Sequence, residues 1–242
     1  MATFRHGKNT VVLLDSYDLS SYYKETATHR TVDTAEVTAF GASAKSYISG
    51  IKDGTMDLKG MFDGSVGAVD QIMAAALQGA DNIVTVQIEG ATAGTIAHML
   101  QTQETSYEVS SPVGDVVAIS TQLQADGGVE SGRVLAPATV VTTATTTNGT
   151  SVDNAASSTN GGVGHVHVTA NANLGTTTIK VQHSADNSAW VDLITFTTVA
   201  TTIKSAQRVE VAAGTTVNRY LRSQITTAST GSITTTVAFA RR

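Results

Sequence analysis

TVDTAEVTAFGASAKSYISGIKDGTMDLKGMFDG, residues 31–64, decides how the first half of this chain folds. Apolar and polar residues alternate near both ends of the stretch, most clearly where Met56 and Leu58 are separated by charged neighbours. This period-2 alternation predicts two half-buried strands. Between them lie several glycines and the pair Asp53-Gly54, which are typical of turns, so the sequence predicts a long polar loop over residues 41–54. Nothing in this loop indicates catalysis, and a polar loop held between two strands suits contact with a partner.

The rest of the first half is predicted to be mostly β, with one helix. Apolar residues at helical spacing predict that helix over residues 66–77, capped by Asp63 or Ser65 and stopped at Gly79. The strongest strand is predicted over residues 115–124, and one of its faces carries Val117, Ile119, Thr121 and Leu123. Two further strands are predicted over residues 83–88 and 104–110.

The second half is predicted to be a separate all-β unit. The Pro- and Thr-rich residues 134–150 read as a linker that becomes a first strand, and residues 154–164 read as a flexible loop. Apolar alternation then recurs at spacings typical of a β-sandwich of the Ig-like or jelly-roll-like kind. These strands are predicted over residues 166–168, 176–181, 190–197, 203–211, 217–225 and 233–239.

Composition limits the classes of protein that fit. The chain has 242 residues, of which 41% are hydrophobic and 14% charged, so it can build one large or two small cores. It contains no cysteine, which excludes disulfides and thiolate metal sites and suits assembly in a reducing cytoplasm. The apolar run 11–14 is too short for a signal-peptide core, and no stretch reaches the roughly 20 apolar residues of a membrane span. We therefore expect a soluble protein without membrane insertion.

Charge is distributed unevenly along the chain. Residues 1–133 hold 8 Lys/Arg and 16 Asp/Glu, a net charge of −8, whereas residues 134–242 hold 7 and 4, a net charge of +3. Because phosphates bind basic surfaces, the first half is a poor platform for holding DNA and would instead repel it. An acidic half is also an ordinary property of a well-dissolved domain, and charge alone does not separate these two interpretations.

Candidate chemistry in the second half is sparse. His165 and His167 lie two residues apart on one face of a strand, as zinc ligands do, but no third ligand follows at ligand spacing. No motif of a serine hydrolase, zinc protease, dinucleotide site or P-loop is present. The turn containing Asp186 and Asn187, followed by Trp190, either binds calcium or a sugar or is a polar hairpin turn whose tryptophan anchors the core.

The order of short motifs along the chain resembles that of the major tail tube proteins of long-tailed, siphovirus-type bacteriophages. The resemblance begins in the opening stretch, continues through the helix with residues 73–77 and through residues 104–117, and covers the second half in weaker form. Its motifs, in order, are Thr38-Ala39-Phe40-Gly41, Lys45-Ser46-Tyr47-Ile48, Lys52-Asp53-Gly54, Gly60-Met61-Phe62-Asp63-Gly64, residues 181–186, residues 190–193, Arg208-Val209-Glu210-Val211 and residues 218–222.

The resemblance implies a mainly β fold, in which a tail-tube-type β-sandwich or partial barrel with one flanking α-helix is followed by a second all-β sandwich. It implies a tube-forming domain at residues 1–133, the linker or first strand at 134–150, and a decorating sandwich on the tube exterior at 151–242. It also implies stacked, sixfold rings in a virion tail that is assembled in the host cytoplasm and conducts DNA during ejection. The implied partners are other copies of the chain, a tape measure protein, tail terminator and distal tail proteins, and viral DNA passing through the lumen.

Site residues are expected at contacts between copies rather than at a catalytic centre. We expect a structural protein that is not an enzyme and uses no cofactor; the alternative is a carbohydrate-binding or adhesion protein acting through its C-terminal sandwich. The ring-to-ring loop is assigned to Gly41, Lys45, Tyr47, Ile48, Gly50, Lys52, Asp53 and Gly54. The N-terminal contact arm is assigned to Phe4, Arg5, His6 and Lys8. The outer-domain ligand turn is assigned to Asp186, Asn187 and Trp190.

Overall fold

A computed structural model describes residues 5–79 and 81–242, and this part of the chain is mainly β with one α-helix. A 3-10 turn spans Gly7–Asn9. The helix is α1 (Val69–Leu77). The strands are β1 (Val11–Leu14), β2 (Tyr17–Asp18), β3 (Tyr23–Glu36), β4 (Tyr47–Met61), β5 (Asn82–Gln87), β6 (Ile96–Ser110), β7 (Ala118–Val141), β8 (Thr146–Asn148), β9 (Val152–Asp153), β10 (Gly162–Asn171), β11 (Thr177–Ser184), β12 (Val191–Thr195), β13 (Ser205–Val211), β14 (Tyr220–Thr227) and β15 (Ile233–Arg241).

The chain divides into two compact units that do not follow the predicted boundary at residue 133. Unit 1 comprises residues 1–21, 83–99 and 130–242, and unit 2 comprises residues 22–82 and 100–129. Strand β7 is continuous through the predicted linker as far as Val141. The predicted division into a tube-forming and a decorating part stays a prediction about roles. Unit 2 carries 5 Lys/Arg and 12 Asp/Glu, a net charge of −7, and unit 1 carries 10 and 8, a net charge of +2.

Unit 1 contains the predicted second sandwich. One of its sheets has the order β13-β10-β15-β7, and the other has the order β12-β11-β14-β8, with β9 also pairing with β14. All these pairs are antiparallel. Inward-facing side chains from both sheets form one buried core that includes Val166, Val181, Phe196, Leu221 and Phe239. Alternation on β11 and β14 produces this arrangement, because every second residue faces the core.

Unit 2 is built on the antiparallel order β3-β4-β7. The predicted faces are confirmed: Met56 and Leu58 on β4 are fully buried, as are Ile119, Thr121 and Leu123 on β7. The buried side chains of the helix α1 are Val69, Ile72, Met73 and Ala76, and Asp70 accepts a hydrogen bond from the Tyr107 hydroxyl on β6 at 3.0 Å.

The predicted helix exists, but its predicted cap is wrong. The N-cap residue is Ala68, which has no side-chain cap. Asp63 instead accepts a hydrogen bond from the Ser65 amide at 2.9 Å, which closes a turn that ends at Ser65, before the helix begins at Val69. The Gly67 amide donates to the Gln71 side chain, and the Gly79 amide donates to the Ala76 carbonyl at the C-terminal end, as expected from the glycine stop. Within the described residues, no helix is long and apolar enough to cross a membrane.

Candidate assembly surfaces

The most exposed part of unit 2 is the outer half of the β3–β4 hairpin. Every residue from 29 to 53 is exposed, although β3 and β4 stay paired from Tyr23 opposite Gly60 to Glu36 opposite Tyr47. We call residues 29–53 the arm and its outer part, residues 37–52, the arm tip. A two-stranded ribbon with both faces in water is at best marginally stable by itself. The arm is therefore a segment that a second molecule can cover.

The predicted loop is shorter than expected. Residues 37–46 connect the two strands, so Gly41 and Lys45 lie in the loop, whereas residues 47–54 belong to β4. The predicted tight turn at Asp53-Gly54 is wrong, because these residues pair with Thr31 and Arg30. The assignment of Tyr47, Ile48, Gly50, Lys52, Asp53 and Gly54 to a contact between copies stays a prediction, now placed on a strand.

The glycines of β4 do not form the turns that the sequence predicted. A β-carbon on Gly54 would collide with the Val129 side chain and the His29 carbonyl, so glycine permits a close approach between strands. Gly50 lies where the β3–β4 register shifts, and a β-carbon there would press on Asp33. A strand glycine next to a register shift is typical of a β-bulge.

The arm displays apolar side chains on both faces. Tyr47 and Ile48 are neighbours on a strand and so point to opposite sides, and both are about half exposed. Ile51 is 77% exposed and Phe40, in the loop, is fully exposed. Single exposed apolar residues are ordinary, but such a cluster makes this exposed ribbon a candidate interaction surface.

Strand β3 also presents an unpaired edge. Among the described residues it pairs with β4 alone, so within the arm, over residues 29–36, its outer edge has no strand partner there. Open edges of this length are templates for pairing with another chain. Pairing between copies around a closed ring would remove the edge.

The solvent face of β4 and β7 is polar and carries carboxylates held by glutamine amides. Gln122 donates to Asp57 at 3.1 Å, and Gln124 donates to Asp53 at 2.6 Å. The same arrangement recurs on β6, where Gln101 and Gln103 both donate to Asp81. His29 lies 3.2 Å from Asp57, and Lys59 lies 3.1 Å from Glu25. The predicted strand over residues 115–124 places these glutamines on the face opposite the core. Their hydrogen-bond partners on β4 can be identified only from the fold.

One buried carboxyl group in unit 2 has no partner. Glu104 on β6 is only 7% exposed, and neither of its carboxyl oxygens has a hydrogen-bond partner among the described residues. Burial raises its pKa to about 8, because the charged form would lose its hydration without compensation. Burial, with a smaller contribution from Glu104, also raises the pKa of Tyr23 to about 12. Glu104 is therefore mainly neutral at pH 7.

The predicted N-terminal contact arm falls only partly within the structure. Phe4 lies outside the described residues. Arg5 precedes the short 3-10 turn, and the His6 ring Nδ1 accepts a hydrogen bond from the Lys8 amide at 3.0 Å, which caps that turn. These residues are exposed, and their contact role stays a prediction.

The predicted ligand turn in unit 1 is a self-satisfied polar turn. The Asp186 carboxylate accepts bonds from the amides of Ser188 and Ala189, both at 2.9 Å, and these bonds lower its pKa. Asn187 has a positive φ of 61°. Trp190 does not anchor the core; it is partly exposed, and the Arg222 guanidinium lies over its ring at 4.2 Å. Sugar or calcium binding at this turn stays a prediction.

His165 and His167 lie inside unit 1 and form a hydrogen-bonded chain with Thr85. The His167 Nδ1 lies 2.7 Å from the Asp15 carbonyl and donates to it, so its Nε2 accepts from the Thr85 hydroxyl at 2.8 Å. The same hydroxyl oxygen then accepts from His165 Nδ1 at 3.1 Å. Among the described residues, no group of three or more metal-ligating side chains occurs. These hydrogen bonds account for the two histidines as buried polar residues of the core.

Acid is expected to destabilise unit 1 through these histidines. Burial lowers the pKa of His167 to about 4, and burial, His167 and Arg208 lower the pKa of His165. Because the unfolded chain takes up these protons near pH 6.5 and the fold does not, the contribution of the two histidines to stability is complete above that pH and is lost towards pH 4. At about 1.4 kcal/mol per pKa unit, His167 alone costs about 3 kcal/mol.

Chemical unfolding measured from pH 7 to pH 4 checks this acid effect. His167→Asn keeps an amide donor for the Asp15 carbonyl and is expected to flatten the pH dependence. His29→Gln, which removes an exposed histidine from unit 2, is the control. Equal slopes for the wild type and His167→Asn would contradict the assignment.

No family profile and no curated protein sequence matches the chain. Among solved structures, it is similar to a protein in the virion of a native gene transfer agent particle, at 12% identity and a TM-score of 0.44 over 52% of this chain and 97% of the other. The SPP1 tail tube protein matches at 14% identity and a TM-score of 0.43 over 53% and 78%. The SPP1 Dit protein, described as a hub adsorption apparatus of phages, aligns over 96% and 98% at 9% identity and a TM-score of 0.38. In these comparisons, the chain is structurally similar to tail tube and hub proteins.

Proposed function

We propose that this chain is a structural tail protein whose copies assemble into stacked rings that form a tube. The observation that carries the proposal is the exposed arm, together with the free edge of β3 beside it. Both features cost stability in a lone molecule and gain partners when copies meet. The order of motifs in the sequence, which resembles that of major tail tube proteins, supports the same role.

The polar face of β4 and β7 suits the lumen of such a tube. Its aspartates are fixed by the amides of Gln122 and Gln124, so negative charge is spread over a surface without exposed large apolar side chains from Asp53 to Lys59. A surface of this kind repels phosphates and offers DNA few attachment points. Unit 2, with its net charge of −7, would then surround DNA passing through the tube during ejection.

The role implies no chemistry by the chain itself. Its partners would be identical copies along the tube, with tape measure, terminator and distal tail proteins as partners in a virion tail that is assembled in the host cytoplasm. Sixfold symmetry is part of the proposal and follows from the resemblance in sequence.

Electron microscopy of the purified chain tests the proposal. We expect negatively stained samples, prepared over a range of protein concentrations with and without a tape measure protein, to contain rings or tubes of uniform diameter. Sedimentation velocity on the same samples should show large species in place of the 25.0 kDa chain. A single monomeric species under every condition would contradict the proposal.

A further inference from the structure

A second cluster of exposed apolar residues lies at the opposite end of β4 from the arm tip. We call it the patch: Phe62, Val66, Val109, Val113 and Val116. Val66 is 94% exposed and Val113 is fully exposed. The Phe62 amide donates to the Val117 carbonyl at 3.0 Å, which holds the segment after β4 against the loop between β6 and β7. The patch therefore joins two segments of unit 2 that are distant in sequence.

The two segments that carry the patch are acidic in sequence, and one of their acids, Glu108, lines a cavity together with Lys24 and Lys59. Residues 61–67 and 108–117 contain three acids, Asp63, Glu108 and Asp115, and no Lys or Arg. All three acids are exposed. Hydrogen bonds from Ser65 lower the pKa of Asp63, so this carboxyl group stays charged near neutral pH.

The arm tip has the complementary composition. Residues 37–52 contain two lysines, Lys45 and Lys52, and no acid. Lys45 reaches Glu36 at 2.9 Å, but this pair is exposed, where an ion pair contributes at most about 1 kcal/mol. The tip thus combines apolar side chains with positive charge, and the patch combines apolar side chains with negative charge.

The two surfaces are too far apart to meet within one molecule. They lie at the two ends of β4, whose 15 residues span roughly 45 to 50 Å at about 3.3 Å per residue. Two complementary surfaces at opposite ends of one strand produce a head-to-tail contact, which repeats from copy to copy. Opposite charges around both surfaces would align the copies in one orientation.

We infer that the patch is the site that receives the arm tip of a second copy of this chain. The inference rests on the proposed tube, and it names the receiving surface for the arm. In this contact, the exposed side chains of Phe40, Ile48 and Ile51 of one copy cover the valines and Phe62 of the next. Lys45 and Lys52 approach the acids in the segments that carry the patch.

Disulfide trapping tests the contact directly, because the chain has no cysteine of its own. Phe40→Cys chains and Val113→Cys chains are mixed in equal amounts under assembly conditions, with a size tag on one of them, and oxidised. We expect the disulfide dimer of the two different variants to be at least tenfold more abundant than either dimer formed by two molecules of the same variant. In one chain carrying both changes, we expect a ladder of covalent oligomers, since the two positions cannot bridge internally.

The control pairs Phe40→Cys with Val191→Cys, which places the second cysteine at a 60% exposed position on β12 of unit 1. Rings or tubes in the microscope without an excess of the Phe40–Val113 dimer over this control would overturn the inference and leave the proposed function standing. Absence of any assembly, with each variant folded by circular dichroism, would overturn the proposed function as well.

Discussion

Replacing Phe40, Ile48 and Ile51 by serine is expected to abolish assembly and leave the single molecule folded. All three side chains are exposed on the arm, so the change removes no core contact and should move the melting temperature of the monomer by less than about 2 °C. In an assembled particle these side chains would be covered. At about 1.5 to 3 kcal/mol for each large apolar side chain buried, their loss weakens each contact between copies by a factor of about 10³ or more.

The control removes three exposed apolar side chains elsewhere. Leu174, Val191 and Ile203 in unit 1 are 54–69% exposed, and their triple serine variant is expected to assemble like the wild type. Sedimentation velocity and negative-stain counts of rings give the readout. Normal assembly of the arm variant would show that the arm is not a contact between copies.

Glu104→Gln is expected to stabilise the molecule, most strongly at alkaline pH. The wild-type carboxyl group has a pKa of about 8 in the fold and 4.5 in the unfolded chain. The fold therefore keeps a proton that the unfolded chain releases, so stability falls as pH rises from about 4.5 to 8. A shift of this size costs about 3 to 5 kcal/mol at pH 8, and glutamine, which carries no titrating group, avoids that cost.

Thermal unfolding of unit 2 at pH 5 and pH 8 measures this difference. We expect the variant to melt about 10 °C above the wild type at pH 8 and near it at pH 5, since a change of 1 kcal/mol moves the midpoint by about 2 to 4 °C in a protein of this size. Glu108→Gln changes an exposed carboxyl group on the same strand and serves as the control. A gain that is equal at both pH values would show that the Glu104 proton is not its source.

Regular alternation made much of the fold predictable. Met56 and Leu58 on β4, and Ile119 and Leu123 on β7, alternate with polar residues, and the structure buries them. The strands of the C-terminal sandwich follow the same rule, and the one helix follows its apolar spacing from Val69 onward. In these elements, each residue needs only its near neighbours in sequence to indicate which face it occupies.

The arm could not be predicted in this way, because its glycines are compatible both with a turn and with a close contact between strands. Locally, Gly50 and Asp53-Gly54 are typical of turns. In the structure, Gly54 lies opposite Arg30 and close to Val129, so its missing side chain serves strand contact. The contacts of the polar face could not be predicted from local sequence either. The alternation on β7 alone shows that Gln122 points away from the core, but its hydrogen bond to Asp57 depends on the register with β4.

The buried polar groups were the least predictable features. His165 and His167 at alternate positions look the same in sequence whether they bind zinc or form a core chain, and only the position of Thr85 distinguishes the two. Glu104 lies among threonines and glutamines, which do not indicate burial, and its burial follows from the fold of unit 2. The two compact units also do not end at the compositional boundary, because β7 runs without a break from Ala118 to Val141.

A cryo-EM reconstruction of the assembled particle tests the central claim most directly, namely that identical copies complete the arm and the β3 edge. The account predicts that the outer edge of β3 is hydrogen-bonded to a strand of a neighbouring copy, that residues 37–52 are buried against another copy, and that Asp53 and Asp57 face the lumen. A particle in which residues 29–53 remain in solvent and β3 keeps its free edge would contradict it.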